Sequence, residues 1–82
     1  MAAPALQEQV AALEKILVLR ERRWATKTHA GKLRIEAEER KLVIAALGWD
    51  PEPGMAAERY AATTSEMVRW LERDVTVGLS RK

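Results

Sequence analysis

Apolar residues recur along the first third of the chain as Leu6, Val10, Leu13, Leu17 and Trp24, at spacings of four, three, four and seven. That is the seam of a coiled coil and predicts a helix from Pro4 to about Thr28, with Pro4 in the first turn, where no amide hydrogen is needed. Arg20 stands where the next Leu is due. The run Ile16-Leu17-Val18-Leu19 makes the apolar surface wider than a two-residue seam, so the helix needs more than one neighbour, in a bundle or a dimer.

Thr26 to Gly31 is a poor helical stretch, with two β-branched residues and a Gly, so the helix either breaks here or runs on as one long rod. Leu33, Ala37, Ile44 and Leu47 then share a helical face, with Leu42 and Val43 beside it, and Gly48 stands where a C-cap is expected. Two readings fit Trp49 to Gly54. Asp50-Pro51-Glu52 can open a new helix at once, or the whole stretch is a rigid loop and the helix starts at Met55. Further on, Tyr60, Met67, Leu71 and Val75 share one face, which one helix would explain. Thr63 followed by Glu66, just before Met67 and Val68, is instead the capping-box signature of a helix start. That pattern predicts two short helices, about Met55 to Ala61 and Thr64 to Asp74, followed by a flexible basic tail over 76–82.

Composition supports helix throughout. Of 82 residues, 14 are Ala and 10 are Glu, both compatible with helices, while β-branched residues are scattered, so sheet is not expected to dominate. A domain of this length buries only about 60% of its unfolded surface. Without a single cysteine there are no disulfides to help it, so stability must come from helix packing or oligomerisation. The longest uncharged stretch, Leu42 to Trp49, is too short to cross a bilayer, and Met1 to Gln9 lacks the order of a signal peptide. A cytoplasmic protein with no membrane partner is expected.

Charge is distributed unevenly. Between Arg20 and Arg34 six cations (Arg20, Arg22, Arg23, Lys27, Lys32 and Arg34) face the single acid Glu21, although the whole chain carries only +2. This basic patch reads either as a footprint for phosphates or an acidic partner, or as a wet junction between helices. Glu36 with Arg40 and Glu38 with Lys41 read as ion pairs on a solvated helical face. The single His29 has no second ligand at i+3 or i+4, and the four Gly are isolated rather than forming a phosphate loop. Nothing here predicts an enzyme, a metal, a cofactor or a small-molecule substrate.

From Pro53 to Arg73 the residues resemble a helix-turn-helix DNA-binding unit of the type found in small bacterial and phage regulators and at transposase N-termini. Ala57 stands for the Ala packed between helices, Tyr60 for the following Leu, Ala62 for the apolar turn residue and Thr63 for the cap. Met67 and the pair Trp70-Leu71 stand for the inner face of the recognition helix. Ala61 occupies the position where such units carry Gly, and Glu66 and Glu72 lie among the outward residues. The resemblance implies that Thr63, Thr64 and Ser65 meet phosphates and base edges at a helix N-terminus, with Arg69 and Arg73 adding contacts.

The expected fold is therefore all-α. A long N-terminal amphipathic, coiled-coil-like helix (1–31) precedes a three-helix unit of helix-turn-helix type (32–75) and the tail. The expected function is regulatory binding of duplex DNA as a homodimer joined through Leu6, Val10, Leu13, Leu17 and Trp24. The rival is a non-enzymatic helical adaptor that binds another protein, or assembles with itself, through that same seam. A turn at Ala61 to Thr63 separates the two.

Overall fold

The computed structural model describes residues 4–54 and 59–81, and of Tyr60 and Ala61 the backbone only. Among these residues there are three helices, α1 (Leu6–Ala25), α2 (His29–Leu47) and α3 (Tyr60–Ser80), and no strand. The expected all-helical class holds at this level.

α1 runs antiparallel to both other helices. At its start, Gln9 Nε2 donates to the Ala46 carbonyl near the end of α2 (3.1 Å), and Leu6 packs on Gly78 near the end of α3. Near its end, Arg23 pairs with Glu39 of α2, and Trp24 shares a groove with Ser65 in the second turn of α3. α2 and α3 are consequently parallel, and the connection from Gly48 to Arg59 has to return along the bundle. Arg40 holds that connection: its Nη2 donates to Asp50 Oδ1 at 2.9 Å and to the Glu52 carbonyl at 3.4 Å. No helix opens over 51–54: the Asp50 carboxylate accepts from the Glu52 amide within a local turn.

The core joins Ile16, Val43, Ala46, Met67, Val68, Leu71 and Val75. α1 faces it through Ile16, not through the middle of the expected seam. A straight helix advances about 100° per residue, so Arg23, seven residues on, falls within about 20° of Ile16. Leu6, Val10, Leu17 and Trp24 all lie about 80° to 120° to one side of it, and their place along the bundle, not their angle, separates them. Leu6, Val10 and Leu13 still pack against the core from the edge of this face. Leu17 and Trp24 do not: they are 48% and 86% exposed.

The chain breaks at Thr26 to Thr28, where two Thr satisfy local backbone groups. Thr26 Oγ1 donates to the Arg22 carbonyl, and Thr28 Oγ1 accepts from the Gly31 amide as the N-cap of α2. At the far end Gly48 is left-handed (φ 86°) and its amide donates to the Ile44 carbonyl, as the C-cap reading requires.

α3 differs most from expectation. It is continuous from Tyr60 through Thr63 and Thr64 to Ser80, so the two short helices and the turn at Ala61 to Thr63 are replaced by one rod. The reason is the stripe Thr64, Met67, Val68, Leu71 and Val75, all buried at helical spacing. Breaking the helix at Thr63 would remove Thr64 from that stripe, and tertiary burial outweighs the local preference of Thr-Thr-Ser for caps. Thr76 to Ser80, expected in a tail, complete this helix, with Thr76 Oγ1 bonded to the Glu72 carbonyl and Ser80 Oγ to that of Thr76. Met55 and Ala57, invoked for the first short helix, lie outside the described residues.

Candidate functional site

The residues expected to read DNA do not form one surface. Thr64 is 2% exposed, and its hydroxyl is buried without a hydrogen-bond partner. Arg73, nine residues later, lies about 180° around the helix from it. Arg69 and Arg73 are exposed on the outer side of α3, Thr63 is half-buried, and Ser65 turns toward α1. Helical geometry therefore corrects the expected contact set: Thr64 is a core position.

The basic patch divides in two. Arg23 Nη1 lies 3.2 Å from Glu39 Oε2, and half-buried Arg20 lies close enough to favour the same carboxylate electrostatically. Arg22, Lys27, Lys32 and Arg34 are exposed around the α1–α2 turn and pair with no carboxylate among the described residues. Arg22 and Arg34 border one shallow cleft there, with Glu38 also on its wall.

Arg40, read as half of an ion pair with Glu36 on a solvated face, is buried, and so is Glu39 beside it. Burial raises the Glu39 pKa above its ordinary 4.5, and Glu36 adds to this, while Arg23 and Arg20 act in the opposite direction. Glu39 Oε1 has no hydrogen-bond partner. The signal for this position was present in the sequence: Glu39 precedes Val43 by four residues and Ala46 by seven, on the stripe that enters the core.

Between the last turns of α1 and the start of α3 an open groove is lined by Leu17, Arg20, Glu21, Arg23, Trp24 and Ser65. It is both apolar and cationic. Arg23 forms part of its wall while holding Glu39 beneath, so the groove is fixed to the core by an ion pair. Trp24, at 86% exposure, covers almost nothing within its own chain. An indole left this bare adds no core stability and is the kind of anchor that interfaces enrich.

Trp49, in the connection, stacks on Trp70 with ring centroids 5.5 Å apart and planes 15° from parallel. These two rings fasten the connection to α3. Among the described residues no group of His, Asp and Glu could hold a metal ion, and no helix is long and apolar enough to cross a membrane. No protein-family model, curated protein or solved structure matches the chain.

Proposed function

We propose that this protein is a non-enzymatic helical adaptor that docks a protein partner in the groove between α1 and α3. One observation carries the reading: the apolar seam of α1 is divided, with Leu6, Val10 and Leu13 used by the core while Leu17 and Trp24 remain outside it. Self-association through the whole seam would need residues that the chain already packs internally. What is left free is about two helical turns long, enough for a docking site.

A second reading, binding of duplex DNA, draws on the exposed Arg22, Lys27, Lys32 and Arg34 at the α1–α2 turn. It would be backbone-directed and steeply salt-dependent, since no recognition helix starts at Thr63.

Photocrosslinking separates the two. A benzophenone amino acid placed at position 24, with one at Lys32 as the control, is irradiated in cells making the full chain. The adaptor reading expects protease-sensitive, nuclease-resistant adducts from position 24 and not from position 32. Nuclease-sensitive adducts from position 32, or none from position 24, contradict it.

A further inference from the structure

We propose that the outer face of α1 and α2 is a dimer interface, on which a second copy of this chain packs antiparallel across a two-fold axis. The proposal is independent of the α1–α3 groove, which lies on another side of α1: Leu17 and Val18, one in each groove, are about 100° apart around the helix.

The face is an open groove walled by Glu14, Lys15 and Val18 of α1 and by Glu38, Lys41 and Leu42 of α2. Val18 is 56% exposed and lies outside the core, so its burial is left to another molecule. Four exposed charges surround it, two of each sign. None of them is paired within the chain. The ion pairs among the described residues are Arg23–Glu39, Arg40–Asp50 and Arg59–Glu52, and even Glu38 and Lys41, one turn apart, stay separate.

This pattern satisfies itself under two-fold rotation. Glu38 and Lys41 stand about 4.5 Å apart along α2. An axis lying in the interface and crossing α2 at right angles midway between them carries each to the level of the other. Glu38 then meets Lys41 of the second copy, and Lys41 meets its Glu38. Because α1 lies beside α2, the same axis crosses it close to Val18 and brings the two Val18 side chains together near the centre. The result is a four-helix layer of α1 and α2 from each copy. A chain of 82 residues without cysteine gains core by this route.

Charge also selects the orientation and the occupant. With the axis turned to run along the helices, α1 would lie on α2 of the copy. Arg22 would then face Arg34, since both border the next cleft along the same pair of helices. The antiparallel arrangement keeps these exposed cations at opposite ends. The groove itself carries no net charge, so a polyanion gains nothing from it and would bring phosphates to Glu14 and Glu38. An occupant needs alternating signs at this spacing, and the chain's own face has them. The groove at Leu6, Val10 and Leu79 has Glu14 as its only charged residue and offers no such match.

The test is sedimentation equilibrium of the full chain and of two charge variants, Glu38→Lys and Lys41→Glu, each checked by circular dichroism for an unchanged fold. The parent is expected to dimerise. Each variant sets like charges against each other at both contacts and weakens the dimer at least about tenfold. Mixed one to one, the variants present opposite charges at both contacts, and a heterodimer within about threefold of the parent's affinity is expected. A parent that stays monomeric to about 1 mM, variants as dimeric as the parent, or a mixture that stays monomeric overturns the proposal. So does a dimer that Trp24→Ala dissolves, which places the contact in the α1–α3 groove. The adaptor reading stands or falls separately, on the crosslinks from position 24.

Discussion

Arg23 donates to Glu39 at 3.2 Å across the interface of α1 and α2, from the position one heptad after Ile16, where an apolar residue would continue the core. That placement ends the hydrophobic interior and turns its neighbour Trp24 outward. The core stops, and the groove begins, at the same residue pair.

The pair has a pH signature. Burial holds the Glu39 pKa above its ordinary 4.5 even with Arg23 and Arg20 nearby, so the charged form is disfavoured in the folded chain. The folded state therefore binds more protons than the unfolded state between 4.5 and the raised value. Glu39's contribution to stability is complete below that window and is lost as pH rises through the folded value. Thermal melts should show Glu39 adding to Tm as the pH is lowered toward 4.5. Glu39→Gln should raise Tm at pH 7 and flatten that rise. An unchanged slope in Glu39→Gln counts against this account.

Thr64→Val replaces a buried, unpartnered hydroxyl with a methyl group of nearly the same shape. It should stabilise the chain by about 1 kcal/mol in urea unfolding, because a buried polar group without a partner carries an uncompensated desolvation cost. A loss of stability would mean that the hydroxyl is satisfied in solution.

Trp49→Ala should cost about 0.5–1.5 kcal/mol beyond the lost apolar burial, since it ends the stacking on Trp70. The near-ultraviolet circular dichroism of the coupled indoles should weaken in parallel. A near-ultraviolet spectrum unchanged by the substitution would place the two rings apart.

Gly48→Ala should destabilise by about 1 kcal/mol, because the left-handed backbone there (φ 86°) penalises a Cβ. That Cβ would also lie 3.3 Å from Pro4 Cδ. Chemical denaturation measures the loss, and an Ala variant as stable as the parent would argue against the left-handed cap.

Some of this was legible in the sequence. Gly48 marks the end of α2 because one residue and one backbone conformation decide it, whereas the poor helical stretch Thr26 to Gly31 left a break and one long rod both open, and the chain breaks. The continuous α3 was obscured by Thr63 and Glu66, which imitate a cap. The competing evidence was the full stripe Thr64, Met67, Val68, Leu71 and Val75, in which a Thr occupies an apolar position. The seam of α1 misled for a different reason. Leu6, Val10, Leu17 and Trp24 lie within about 40° of one another around a straight helix, so the pattern alone does not say which of them the other two helices cover. Arg40 looked like half of a solvated ion pair, and only the approach of Asp50 to it, and of Arg23 to Glu39 beside it, makes the burial of these charges tolerable.

The central claim is that the chain binds through the α1–α3 groove and not through the outer surface of α3. Photocrosslinking in cells making the full chain tests it directly, with the benzophenone amino acid at position 24 and, in separate samples, at positions 69 and 73. The account predicts protease-sensitive, nuclease-resistant adducts from position 24 and none from positions 69 and 73. Nuclease-sensitive adducts from positions 69 and 73, with none from position 24, would contradict it.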